Sequence, residues 1–243
     1  MIFAPEGPLL AIDTAGSACS AALWAGNGVL AHEIAATLHG HAVALAPMIA
    51  RLAAGAGIDM TAIGAVAVSC GPGSFTGMRV GLATARAMAL AIGCQAIGIG
   101  SFQVLAAAAL RSAGAAEGNI PGNILAVLDS RREELFAAEL NPSLTPAEDP
   151  VLLRLEEVAA LCRARGLRLV AEADLTGFAA PLYADLQVLH ARPDAVAVAE
   201  LAAMRPDLHL PPEPIYLRPP DISRPKASPP ATPGPARAAA PNG

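Results

Sequence analysis

Aromatic and charged residues are both scarce in this chain, at 3% and 15% of 243 positions, against 54% hydrophobic residues and a mean hydropathy of +0.47. That balance excludes a wholly disordered chain and raises the question of a membrane protein. Long apolar runs are missing, however. Spanning a bilayer takes about 18 or more nearly continuous apolar residues, and the most apolar stretch, Val80 to Ile99, is broken by Arg86 and Gln95. The hydrophobic excess is mostly alanine, which raises the average without building a lipid-facing surface. Basic residues ahead of an apolar N-terminal stretch are also missing, since Glu6 and Asp13 stand there, so no secretory leader is expected. We expect a soluble, cytoplasmic protein without membrane contact.

Cysteine is limited to Cys19, Cys70, Cys94 and Cys162, with no C-x-x-C pair and none at metal-ligand spacing. Buried, reduced thiols are expected. Positive charge is sparse as well. The net charge is −5, and Arg224, Lys226 and Arg237 are the only charged residues beyond Asp221, which leaves −8 on residues 1–221. An acidic body grips a phosphate backbone poorly, so any nucleic acid is expected to be held mainly by a partner. Among His32, His39, His41, His190 and His209 there is no H-x-x-x-H pair, and the i, i+2 spacing of His39 and His41 does not put both rings on one helix face. No metal site is expected, and no G-x-S-x-G elbow marks a hydrolase.

What is present begins with strand-like patterns at Leu9–Asp13, Ser20–Trp24 and Val29–Ile34, the last two joined through Asn27-Gly28, a pair suited to a hairpin turn. A helix is expected over His41–Ala54, bent by Pro47, then a buried strand Ala65–Ser69, a long helix Thr76–Ile92, a strand Gln95–Ile99, and a helix capped by Ser101. Three antiparallel strands followed by alternating helices and strands resemble the ribonuclease-H-like unit that is duplicated in actin and the sugar kinases, an argument about fold alone. The second half offers strands at Ile124–Asp129, Leu135–Leu140 and Leu167–Val170, with helices at Leu155–Arg165 and Ala195–Met204. Pro214–Arg218 reads as an extended segment able to pack. We expect a lobe at 1–102, a smaller, trimmed lobe at 103–221 and a Pro/Ala-rich disordered tail at 222–243.

The most specific motif is Ser69-Cys-Gly-Pro-Gly-Ser-Phe-Thr-Gly-Met-Arg-Val-Gly81, a strand entering a glycine-rich turn and a helix N-terminus. Such a turn can receive an anion, so Gly73, Ser74 and Thr76 are candidate anion or nucleotide contacts. The same turn can also serve only to seat its helix, with Ser74 or Thr76 as the cap. Asp13 joins the candidates because Asp13-Thr-Ala-Gly-Ser17 lies where actin-fold ATPases place a phosphate loop. The matching loop of the other lobe, around Asp129-Ser-Arg-Arg-Glu133, has no glycine, which argues against independent ATP hydrolysis. Within the helix, Gly77, Gly81, Ala85, Ala89 and Gly93 recur every fourth residue and form a nearly smooth ridge. Spacing leaves open whether the ridge packs inside its own lobe or against another chain.

Leu10-Ala-Ile-Asp-Thr-Ala15, Cys19–Trp24 and above all Gly71–Gly81 resemble the TsaB (YeaZ) family, and Leu125–Leu135 and Pro214–Arg218 match its later landmarks in order. The resemblance covers roughly residues 9–218 and is patchy between 141 and 210. It implies a two-lobed actin-like α/β fold (ASKHA, ribonuclease-H-like) that is itself inert. It further implies a role as the dimerisation subunit of the bacterial complex that places threonylcarbamoyl on N6 of adenosine 37 of tRNA. The implied partners are the catalytic paralogue TsaD and the P-loop ATPase subunit TsaE, with tRNA met only through the complex and a homodimer when the chain is alone. No cofactor is implied for this chain by itself, and ATP belongs to the whole complex. Because N-lobe helices pair the paralogues in that family, the expected interface comprises His41, Met48, Gly77, Gly81, Ala85, Ala89 and Gly93. On this reading, Gly81→Arg or Ala85→Arg abolishes partner binding in a chain that stays folded. The rival readings are a divergent metallopeptidase-like or small-molecule kinase-like enzyme using Asp13, and RNA binding through the basic tail.

Overall fold

Residues 5–26, 28–35, 41–114, 122–173, 175 and 180–218 are described by the structure, a computed structural model. Leu9–Asp13 (β1), Cys19–Ala25 (β2) and Gly28–Ala35 (β3) run antiparallel, while Ala65–Ser69 (β4) and Gln95–Ile99 (β5) extend the sheet in parallel from β1. The order is β3-β2-β1-β4-β5. A second sheet repeats this arrangement strand for strand. Ile124–Leu128 (β6), Leu135–Leu140 (β7), Val151–Leu153 (β8), Arg168–Glu172 (β9) and Val188–Ala191 (β10) pair in the order β8-β7-β6-β9-β10 with the same directions. The duplicated ribonuclease-H-like unit makes this the two-lobed actin-like α/β fold expected from the first hundred residues. Strands β8 and β10, absent from the sequence reading, are only three and four residues long, too short for a period-2 pattern to stand out.

Helices His41–Ala56 (α1) and Phe75–Ile92 (α2) share the outer face of the first sheet, with a core of Leu10, Ile12, Val66, Val68, Leu45, Met48 and Leu82. Helix Leu155–Arg165 (α4) covers the outer face of the second sheet. Between the two sheets lie Ser101–Ser112 (α3) and Ala195–Met204 (α5). These two helices cross over: α5 packs on β1, β2 and β4, and α3 packs on β6, β9 and β10. The boundary expected at 102/103 falls inside α3, and one core joins Leu9 and Ile97 to Ala126 and Val170 through both helices.

The crossing helices explain the alanine. Every residue from Ser101 to Leu110 is buried, so α3 has no solvent face and its sequence reads apolar all round. Ala106–Ala109 of α3, with Ala195, Ala197, Ala199, Ala202 and Ala203 of α5, let helices and sheets approach closely. The second lobe keeps all five strands, and the expected trimming shows in shorter edge strands and shorter helices among the described residues. Its α4 has 11 residues, and a 3-10 turn at Ala180–Tyr183 precedes β10, whereas α1 and α2 have 16 and 18 residues. Ser101 does not cap α3: Gly100 is the N-cap, and the Ser101 hydroxyl is buried without a hydrogen-bond partner. The segment after α5 packs as expected, with Ile215 N–H donating to the Cys70 carbonyl at 2.8 Å. Asn27, His39 and the tail 222–243 lie outside the described residues.

Candidate functional site

The turn after β1 and the glycine motif after β4 are pressed together. Thr14 is fully buried, and its hydroxyl donates to the Gly77 carbonyl at 2.8 Å. Ser74 N–H donates to the Ala15 carbonyl at 2.7 Å, and the Ser74 hydroxyl caps α2 by accepting from Gly77 N–H at 3.2 Å. This approach requires glycine. A Cβ at Gly77 meets the Thr14 carbonyl oxygen at 2.0 Å, and one at Gly81 meets Thr14 Oγ1 at 2.4 Å. The motif thus seats its helix against the first hairpin.

The small-residue ridge is accordingly internal, which corrects the expected interface. Gly77 and Gly81 face Thr14, while Ala85, Ala89 and Met48 are buried in the core between the helices and the first sheet. Gly93 is the left-handed C-cap of α2, at φ 82°, with its N–H on the Ala89 carbonyl at 2.9 Å. Gly77, Gly81, Ala85, Ala89 and Met48 are thus buried against the chain's own lobe, while Gly93 is exposed at the helix end. Arginine at Gly81 or Ala85 disrupts the lobe itself, so neither is a clean interface probe. His41 begins α1, and its side chain lies outside the described residues. The outward faces of the same helices are different in kind. On α1 they present Ala42, Val43, Ala46, Pro47, Ala50, Arg51, Ala54 and Gly55, and on α2 Thr76, Arg79, Ala83, Arg86, Ala87, Leu90 and Ala91. Val43 and Leu90 are 80% and 85% exposed. Small residues line both sides of α2, so a four-residue spacing does not tell the packed side from the exposed one.

Asp13 is 1% exposed, and its Oδ1 accepts from Ala15 N–H at 3.2 Å and from the Ser69 hydroxyl. Across from it, Glu172 at the end of β9 is buried and accepts from Asp129 N–H at 3.0 Å. Burial raises the Glu172 carboxyl above its ordinary value; the Asp129 N–H opposes this, the Asp129 charge adds to it, Arg131 opposes it, and Asp13 adds to it. Sequence reasoning missed Glu172, which stands in an ordinary strand pattern with no motif around it. The β6–β7 turn makes its bend without glycine, with Arg131 at φ 60° and its N–H on Asp129 Oδ1 at 2.7 Å. The void left among Gly16, Gly73, Ser74, Ser101, Asp129 and Glu172 measures about 10 Å³, room for one water-sized molecule. The phosphate chain of a nucleotide does not fit there. Gly73 and Ser74 border both this void and a separate open cavity of about 460 Å³, while Thr76 reaches only the latter. Asp13 borders neither, so the four candidate anion contacts do not converge.

The thiols of Cys19, Cys70 and Cys162 are buried and pushed up by that burial to about 11, 12 and 11 respectively. Among the described residues, no three His, Cys, Asp or Glu side chains gather as a metal site, and no helix is long and apolar enough to cross a membrane.

The family model described as "TsaD: tRNA N6-adenosine threonylcarbamoyltransferase" matches residues 28–200. The tRNA threonylcarbamoyladenosine biosynthesis protein TsaB of Escherichia coli is 38% identical over 132 residues, covering 54% of this chain and 54% of that protein. The chain belongs to this family, in its TsaB (YeaZ) group. TsaB of Haemophilus influenzae is 33% identical over 133 residues, covering 54% of this chain and 53% of that protein. YeaZ from Pseudomonas aeruginosa superposes with a TM-score of 0.69 at 26% identity, over 87% of this chain and all of that one. The chain spans about half the length of the curated TsaB relatives it matches.

Proposed function

We propose that this chain is the non-catalytic dimerisation subunit of a tRNA threonylcarbamoyladenosine-forming complex, and that it docks the catalytic paralogue TsaD on the outward face of α1 and α2. The observation that carries this reading is that face itself. It is built mostly of small apolar side chains, with Val43 and Leu90 almost fully exposed and one cation, Arg86, standing between Ala83 and Leu90. An exposed apolar surface framed by polar residues marks an interaction site in a soluble protein, and its small residues allow helices of a second chain to approach closely. Arg51 at its edge is turned to Glu33, and Arg79 to Tyr216. The closed interlobe void supports the inert half of the proposal and weighs against a kinase-like or metallopeptidase-like activity centred on Asp13. In the assembled complex, TsaE docks on the pair, ATP is handled by the partners, and tRNA is engaged by the whole. Without its partner, the chain pairs with a second copy through the same face.

The test is co-purification of the full chain with the catalytic paralogue. Leu90→Asp and Val43→Asp, alone and together, are expected to abolish capture. Each should shift folding stability by no more than about 0.5 kcal/mol, the usual range for exposed positions. Unchanged affinity in the double variant overturns the proposed interface.

A further inference from the structure

The cavity of about 460 Å³ lies between the lobes and beneath the returning C-terminal segment, and its size is that of a small-molecule site. Its lining runs against the composition of the chain. Arg131, Arg132 and Arg218 line it and no aspartate or glutamate does, although acidic residues outnumber Lys and Arg by 21 to 16 overall. The carboxylates paired with Arg131 and Arg218, Asp129 and Glu134, stand outside the lining.

Its aromatic content is equally out of proportion. The chain has five Phe and two Tyr, and Phe75, Phe136 and Tyr216 all face this one cavity. Phe75 and Tyr216 are held as a unit. Their centroids are 5.3 Å apart, the Arg79 guanidinium sits 3.7 Å over Phe75, and Arg79 Nε donates to the Tyr216 hydroxyl at 2.9 Å. The first turn of α2, at Phe75 and Thr76, forms part of the same wall, where the helix dipole favours negative charge. Guanidinium groups bind phosphate by charge-assisted, often bidentate hydrogen bonds, and a planar base packs well on aromatic or guanidinium faces.

We propose that this cavity binds a nucleotide, with its phosphate among Arg131, Arg132 and Arg218 and its base against the Phe75–Tyr216 wall. The nucleotide is either free or one unit of an RNA strand. The site is distinct from the closed void beside Glu172 and does not depend on the α1–α2 interface.

The test uses the full chain without partners and three probes: AMP, adenosine, and a short single-stranded RNA, each titrated by calorimetry. Saturable binding of AMP or of the RNA at roughly millimolar concentration or below is expected, with adenosine weaker by about tenfold or more through loss of the phosphate contacts. Tighter RNA than AMP identifies a strand as the source, and AMP alone identifies a free nucleotide. Arg132→Glu and Tyr216→Ala should each weaken binding at least about tenfold, while Arg86→Glu, the same charge change on the exposed side of α2, should leave it unaltered. Two results overturn the proposal: no saturable binding of either phosphorylated probe, or equal losses in Arg86→Glu and Arg132→Glu.

Discussion

Gly81→Ala separates a glycine that is there for close packing from one that is merely tolerated. The added methyl falls 2.4 Å from Thr14 Oγ1 and 3.4 Å from Val68 Cγ2. Neither neighbour yields cheaply, because Thr14 is fully buried and its hydroxyl is committed to the Gly77 carbonyl, while Val68 lies in the core of the first sheet. Overpacking costs about 1–3 kcal/mol, and loss of the Thr14 hydrogen bond in a buried site costs about 1–3 kcal/mol. Alanine returns only about 1 kcal/mol of helix propensity, so a net loss of about 1–5 kcal/mol is expected, centred on about 3 kcal/mol. For a chain of this size the central value lowers Tm by roughly 6–12 °C. Gly55, near the end of α1, has nothing within 4 Å of its would-be Cβ, so Gly55→Ala should instead stabilise by up to about 1 kcal/mol. Urea denaturation of the purified variants measures both. In a double-mutant cycle, Gly81→Ala should cost about 1 kcal/mol less or better in a Thr14→Ala background, since the contact is pairwise. The reasoning fails if Gly81→Ala is as stable as the parent, or if removing the Thr14 hydroxyl brings no relief.

Further expectations follow from the buried groups. Glu172 has its carboxyl raised above 4.5 in the folded state, so the folded chain binds the proton more readily than the unfolded chain. Stability from this group is therefore lost as pH rises from about 4.5 through the folded value. Glu172→Gln, which keeps an acceptor for Asp129 N–H, should raise Tm at pH 7–8 and change it little at pH 4; an equal shift at both pH values refutes the assignment. Cys19, Cys70 and Cys162, buried and with raised pKa, should resist a thiol reagent in the native state, leaving the half-buried Cys94 to react first. Mass spectrometry of the labelled peptides decides this. Met48→Ala should cost about 2–5 kcal/mol by opening a cavity in the core, measured by the same denaturation, and any loss of partner capture should track unfolding instead of interface damage.

Much of the first lobe was legible because its signals are local. The β1, β4 and β5 patterns, the Ser74 cap and the helix that follows all arise within a few residues of one another. The second lobe was less so, since β8 and β10 are shorter than the period that reveals a strand, and Glu172 owes its role to Asp13 and Asp129, which are distant in sequence. The crossing of α3 and α5 had no local signal at all.

By itself, then, the sequence determined that few aromatics and abundant alanine meant close packing without a membrane span, and that the Gly71–Gly81 motif was a glycine-rich turn entering a helix, open to an anion or to a purely seating role. Only the tertiary structure decided which surfaces the small residues serve. A four-residue period marks one side of a helix but carries no sign, and the sign comes from what the sheet covers. The sheet covers Gly77, Gly81, Ala85 and Ala89 and leaves Ala83, Ala87 and Leu90 to solvent. The scarce aromatics followed the same logic: three of them, separated by up to 141 positions from Phe75 to Tyr216, meet in one arginine-lined cavity because the chain's last described segment returns to the first lobe.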